Sequence, residues 1–196
     1  MVVFLADGFE EIEALTPVDY LRRAGVDVLT VAVTSSDSQD KKIVTGGHGI
    51  RVFADTTLDE FLASSENNLP EAVFLPGGGN GAKNLAASKD VAEICKKCFS
   101  EGKLVSAICA SPAVVLSPLG ILKDKNWTCY PGMEESDVDP ENVENSTHCA
   151  GVPFVTDGNL VTGAGPGASE QFAMELVRIL AGEEIAKKVH DGSVQR

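Results

Sequence analysis

Cys109 lies in the run Lys103-Leu-Val-Ser-Ala-Ile-Cys109-Ala-Ser-Pro112, where an apolar strand pattern meets the start of a helix pattern. Small residues stand two positions before it (Ala107) and two after it (Ser111). A sharp strand-to-helix turn crowds its neighbours, so this spacing is that of a nucleophile elbow carrying a thiol in place of the usual hydroxyl. A helix over residues 110–116 would aim free N–H groups and the positive end of its dipole at the sulfur, favouring a thiolate at neutral pH. Pro112 suits the first turn of such a helix, where no backbone donor is needed. The alternative is a structural thiol at the end of a core strand, because free cysteine often packs as a small hydrophobe.

Three other groups could do chemistry. Glu10, Glu11 and Glu13 open the first helical segment. Charge–dipole stabilisation, about 0.3–1 kcal/mol each, explains acids at a helix start without any catalytic role. One of them could instead reach the thiol, with its pKa raised in a poorly solvated site, and shuttle a proton. Pro76-Gly-Gly-Gly-Asn-Gly81 lacks the Gly-Lys-Ser/Thr ending of a phosphate loop and does not match a dinucleotide fingerprint. It is either a tight turn or the source of a backbone donor for an oxyanion, with the Ala110 N–H as the second donor. Cys95 and Cys98 form a Cys-x-x-Cys pair, but they continue a helical stripe with Val91, Ile94 and Phe99. No second cysteine pair completes a zinc site, so no metal is expected there. The histidines, His48, His148 and His190, all lie far from Cys109 in sequence, which leaves a Cys–His hydrolytic dyad without direct support.

The elements that must position these groups alternate. Strand patterns at residues 2–6, 26–33, 72–75 and 103–108 are separated by helical patterns at 10–24, 81–87 and 89–101. A hairpin or bulged pair is expected over 43–53, a short helix at 58–62 and a polar loop at 35–42. A short strand is expected at 126–130, followed by an acidic irregular stretch over 131–145. Asp157-Gly158 marks a hairpin between 152–155 and 159–162. Helices are expected over 169–181 and from 183. In the first helix Ile12, Leu15, Val18 and Leu21 carry the apolar spacing. This order predicts an α/β fold, a mostly parallel sheet with helices on both faces, in one domain spanning 1–196. Sites in such sheets form at the carboxyl ends of strands, so Asp7-Gly8, Pro76-Gly77-Gly78 and Cys109 should meet at one edge.

Composition narrows the partners. Sixteen basic and 29 acidic residues among 196 give a formal charge of −13, a field that repels nucleic acid and anionic lipid. No apolar run approaches a membrane span, and the N-terminal run reads as a strand, not a secretion signal. Five cysteines without a tight framework fit a reducing compartment, so a cytoplasmic protein is expected.

Taken together, Asp7-Gly-Phe-Glu-Glu-Ile-Glu13-Ala, Arg22-Arg-Ala-Gly25, Leu75-Pro-Gly-Gly78, Ala107-Ile-Cys109-Ala, Asp157-Gly-Asn-Leu-Val-Thr162 and Gly165-Pro-Gly167 resemble the ThiJ/PfpI superfamily, in its DJ-one (protein deglycase) branch, over nearly the whole chain. The resemblance implies a flavodoxin-like three-layer sandwich and a homodimer. It implies Cys109 as the reactive, oxidisable cysteine, and Glu13 as a protonated acid bonded to its sulfur. Gly78 and Ala110 match the backbone donors. Tyr130, His48, Gly77 and Ala164 match the substrate pocket, with His48 where relatives place a basic residue that reaches the partner subunit. Tyr130 and Ala164 replace a His and an Arg of that branch, which leaves the pocket less basic. Protease-like members carry His directly after the nucleophile, where this chain has Ala110.

Two functions are therefore expected. The first is a cysteine-dependent enzyme with no cofactor and no metal, acting on a small 2-oxoaldehyde such as methylglyoxal as a glyoxalase III-type lyase or deglycase. The second is an oxidative-stress sensor or chaperone whose Cys109 is oxidised to sulfinate.

Overall fold

The computed structural model describes residues 1–34, 40–64 and 69–195; most of the polar loop expected at 35–42 lies outside the described residues. The strands are β1 (Val2–Ala6), β2 (Leu29–Val33), β3 (Ile43–Thr45), β4 (Arg51–Phe53), β5 (Thr56–Thr57), β6 (Ala72–Leu75), β7 (Leu104–Ile108), β8 (Asn126–Trp127), β9 (Thr147–His148), β10 (Phe154–Asp157) and β11 (Leu160–Gly163). The helices are α1 (Glu11–Arg23), α2 (Leu58–Ser64), α3 (Gly79–Ala87), α4 (Lys89–Ser100), α5 (Met133–Ser136), α6 (Ser169–Ala181) and α7 (Glu183–Ser193).

Seven strands form one sheet in the order β10-β11-β7-β6-β1-β2-β5. Every pair is parallel except the β10–β11 hairpin at one edge. Each residue of β1, β6, β7 and β11 is buried. A strand buried at every position has both faces covered, so its sequence reads as a continuous apolar run rather than an alternating one. Helices supply that cover. Phe172 of α6 packs on Phe74 of β6 with ring centroids 5.4 Å apart. Tyr20 of α1 donates a hydrogen bond to Glu170 of α6 at 3.1 Å, joining those helices on one face. The expected α/β architecture is therefore present. No helix among the described residues is long and apolar enough to cross a membrane.

Three expectations change. The buried stripe of α1 runs through Ala14, Pro17, Val18 and Leu21, while Ile12 is 56% exposed and points outward. The chain after Cys109 does not form an α-helix over 110–116. Pro112–Leu116 is a single π-helical turn, closed by the Ser117 N–H on the Pro112 carbonyl, and Ser117–Leu119 is a 3₁₀ turn. Pro118 has no N–H to continue an α-helical ladder, so the segment cannot lengthen. The acidic stretch 131–145 contains α5 and a 3₁₀ turn at Pro140–Val143, and β9 pairs in parallel with β8.

Candidate active site

The ends of β1, β6 and β7 are neighbours in the sheet, and they bring residues 7–8, 76–78 and 109 to one edge. Cys109 has φ +62°, a left-handed conformation unusual for a residue with a side chain. Such a conformation costs on the order of 1–3 kcal/mol and persists only where its surroundings hold it. The Cys109 N–H donates to the Gly163 carbonyl at 2.9 Å, and the Cys109 carbonyl accepts from Tyr130 N–H at 2.9 Å. Ser111 is fully buried and donates its hydroxyl to the Pro76 carbonyl at 2.6 Å, tying the elbow to the glycine turn. The spacing argument accounted for Ser111 only by its size.

Glu13 is fully buried in the first turn of α1. Its backbone N–H is capped by the Glu10 carboxylate at 2.7 Å. The Gly77 N–H donates to Glu13 Oε2 at 2.9 Å, while Oε1 is buried with no hydrogen-bond partner among the described residues. Burial pushes the Glu13 carboxyl up to about 7, opposed by hydrogen bonds from Cys109 and Gly77. Burial also pushes the Cys109 thiol up to about 12, reinforced by the charge of Glu13 and opposed by the N–H groups of Gly78 and Ala110. Carboxyl and thiol thus titrate as one unit. Its first proton leaves near neutrality, and its second is retained because two adjacent buried anions repel. This corrects the expectation of a thiol acidified by a helix dipole. The helical turn that follows the elbow is mainly of π type, and burial and the Glu13 charge outweigh the backbone donors, so what is available at neutral pH is a pair sharing one proton and one negative charge.

Glycine is required at two contacts around this pair. A Cβ on Gly77 would lie 2.5 Å from Glu13 Oε2 and 2.6 Å from Cys109 Cβ. Gly78 has φ +89°, and a Cβ there would collide with the Gly8 carbonyl. Gly77→Ala is expected to lower stability by about 1–3 kcal/mol by overpacking and to separate carboxyl from thiol. Urea unfolding measures the first effect, and loss of the near-neutral step in thiol alkylation measures the second.

The other expected site residues are spread out. Tyr130 and Ala164 line a cleft of about 600 Å³ together with Gly165, and this lining does not include Cys109, Gly77 or His48. Gly165 nevertheless links the two regions, since a Cβ there would lie 3.4 Å from the Tyr130 ring and 4.0 Å from Glu13 Oε1. The His48 side chain is 74% exposed and pairs through Nδ1 with Glu11 Oε2 at 2.7 Å. Among the described residues no hydrogen bond joins His48 to Cys109.

Glu11 is the residue that the helix-dipole argument undervalued. It is buried, and its Oε1 accepts from His48 N–H at 2.8 Å and Ile50 N–H at 3.4 Å. Burial opposes its ionisation, but these bonds and the His48 ring prevail and hold its carboxyl below the ordinary value. In return, Glu11 raises the His48 pKa. Glu11→Gln is therefore expected to lower the His48 pKa toward that of a free imidazole, read by histidine NMR titration.

The remaining thiols separate by setting. Cys95 and Cys98 are buried in α4, and burial pushes them up to about 12 and about 11. Cys129 is buried beside Glu134 and His148, and burial and the Glu134 charge push it up to about 12. His148 thus lies against Cys129, a neighbourhood its sequence position did not reveal.

A sequence model described as the DJ-1/PfpI family matches residues 1–179. Protein DJ-1 homolog B of Arabidopsis thaliana is 36% identical over 184 residues, 94% of this chain; the chain spans 38% of that relative's length. A deglycase of Pyrococcus abyssi is 31% identical over 182 residues, 92% of this chain and 98% of its own. The crystal structure of a mutant of a DJ-1 superfamily protein from Salmonella typhimurium superposes with a TM-score of 0.85 at 33% identity, covering 100% of this chain and 97% of the other.

Proposed function

Because this chain belongs to the DJ-1/PfpI family, we propose that it is a cysteine-dependent enzyme acting on 2-oxoaldehydes, free or already added to amino groups, with Cys109 and Glu13 as its catalytic pair. The observation that carries this reading is the fully buried Glu13 carboxyl, pushed up to about 7 by burial and set with the thiol of a strained elbow around the same glycine, Gly77. The name of the Pyrococcus relative supports the deglycase side of it.

With methylglyoxal, the sulfur of the singly protonated pair attacks the aldehyde carbon, and Glu13 gives its proton to the carbonyl oxygen, forming a hemithioacetal. The Gly78 and Ala110 N–H groups, which reach the sulfur, hold the developing oxyanion. Glu13, now a carboxylate, removes the proton from the former aldehyde carbon and returns it to the neighbouring carbon, while the hydroxyl proton passes from the first oxygen to the former ketone oxygen. The product of that transfer is a lactoyl thioester on Cys109. Water cleaves it to lactate and restores the thiol, so one methylglyoxal and one water give one lactic acid. Tyr130 can donate a hydrogen bond to the ketone oxygen from the adjoining cleft. The test is lactate formation by the purified chain. Measurable lactate that disappears in the Cys109 variant supports the reading, and undiminished formation in that variant removes it.

A second reading has its own support. The groups around the Cys109 sulfur, a protonatable carboxyl and two backbone donors, would equally hydrogen-bond a sulfinate, which suits an oxidation sensor. Intact-mass analysis after mild peroxide distinguishes it: two oxygens on Cys109 ahead of the other thiols favour the sensor. A homodimer fits either reading, because Ile12, Ile50 and Phe53 expose 56%, 54% and 65% of their surface.

A further inference from the structure

Away from the Cys109 pair, the described residues bring three different metal-ligating side chains to one point. Cys129 Sγ lies 3.8 Å from His148 Nε2 and 3.8 Å from Glu134 Oε2. His148 Nδ1 is 3.7 Å from Glu134 Oε1. Donors around a tetrahedral zinc ion stand roughly 3.5 Å apart, given metal–ligand bonds of about 2.0–2.3 Å. With one donor atom taken from each residue, the three lie within 4.8 Å of one another, so the side chains must draw together by on the order of an ångström to share a cation.

The arrangement differs from a thiol–imidazole–carboxylate triad. In a triad the carboxylate sits on the far side of the imidazole from the sulfur. Here one Glu134 oxygen stands 3.7 Å from the far ring nitrogen, too long for a hydrogen bond, while the other lies 3.8 Å from the sulfur itself, a contact that opposes a free thiolate and suits a thiolate and a carboxylate bound to a common cation. The supports are also those of a ligand set. The β8–β9 pairing places His148 opposite Trp127, whose ring centroid is 4.9 Å from that of the histidine. Glu134 Oε2 accepts from the Gly132 N–H at 2.7 Å, which orients the carboxylate. Cys129 is 2% exposed, while the Glu134 and His148 side chains reach the 600 Å³ cleft beside Tyr130. The second cluster of ligating groups, Glu10, Glu11 and His48, is a weaker candidate, because Glu11 already accepts from two backbone N–H groups and the His48 ring.

We propose that Cys129, Glu134 and His148 bind a divalent zinc-class cation, with its fourth position open to the cleft. Binding forms a metal–sulfur bond and releases the Cys129 thiol proton to solvent. The cation would open onto the cleft that adjoins the Cys109–Glu13 pair, through ligands that the proposed chemistry of that pair does not use.

The experiment uses full-length protein carrying Cys109→Ser, stripped with chelator, so that the elbow thiol cannot compete. Zinc is titrated against a chromophoric chelator, and cobalt is added in parallel as a spectroscopic probe. One equivalent of zinc and a thiolate-to-cobalt charge-transfer band are expected. Cys129→Ser, His148→Ala and Glu134→Gln should each weaken zinc by at least about tenfold, and Cys129→Ser should also abolish the band. Cys149→Ser should retain both. Unchanged affinity in any of the three ligand variants, absence of the band, or its loss in Cys149→Ser overturns the assignment. A measurement on the unsubstituted chain guards against misfolded variants: zinc should shield Cys129 from iodoacetamide, read by peptide mass, and equal labelling with and without zinc overturns the proposal.

Discussion

Cys109→Ser is expected to lower lactate formation from methylglyoxal by at least about a thousandfold while leaving the fold intact. Serine is smaller by little and keeps the backbone bonds to Gly163 and Tyr130, so circular dichroism and the unfolding midpoint should hardly move. Its hydroxyl, however, ionises far less readily than a thiol, and the Glu13 carboxyl is too weak a base to activate it. Removing a nucleophile typically costs three or more orders of magnitude, because the remaining groups act only through it. Steady-state kinetics with product identified as lactate make the measurement. A loss of less than tenfold would assign the chemistry to another group.

Glu13→Gln should have two large effects of opposite sign. Turnover should fall by about 10²–10⁴-fold, since glutamine cannot carry a proton between carbons. Stability should rise at neutral and higher pH. The folded-state value for Glu13 is about 7, against an ordinary 4.5. A raised value means that the fold prefers the neutral acid: its advantage is complete below about 4.5 and is lost as pH climbs through about 7. The unsubstituted chain should therefore lose on the order of 3 kcal/mol of stability across that window relative to Glu13→Gln. Urea unfolding at pH 5 and pH 8 measures the difference, and equal pH slopes in the two proteins would refute it. Alkylation adds a third readout. In the unsubstituted chain the rate should rise through pH 7, as the pair loses its first proton. In Glu13→Gln that step should vanish, leaving a thiol held above its ordinary pKa by burial.

Much of this architecture was legible in the residues. Strands buried on both faces announce themselves as unbroken apolar runs, and β1, β6 and β7 fell within a residue or two of their expected spans. Once those strands were parallel, the rule that sites form at their carboxyl ends brought Asp7-Gly8, Gly77 and Cys109 to one edge, whereas the choice of Glu13 among the three helix-opening acids came from the family resemblance alone. What failed was local and depended on packing. The turn after Cys109 carries apolar residues and an early proline, which read as a helix; the second proline, Pro118, limits it to one π turn. The outward Ile12 shows the same limit, because an apolar residue at helical spacing does not by itself say which face it occupies. Glu11 reads as any helix-opening acid, since its partners in residues 46–50 are brought to it by a glycine turn. The cluster at Cys129 was least readable. It depends on a two-residue parallel pairing, too short to leave a periodic trace, that carries His148 back across nineteen positions.

The Glu13 carboxyl is fastened through one oxygen by the Gly77 N–H, and its other oxygen is buried without a hydrogen-bond partner among the described residues. A carboxyl anchored in this way cannot spin to serve both faces of a planar intermediate. If the proposed proton transfer runs through this carboxyl, the proton returns from one side, and the new tetrahedral carbon should acquire one handedness, set by a backbone amide in a glycine turn; chiral analysis of the lactate formed checks this, and a racemic product would contradict it.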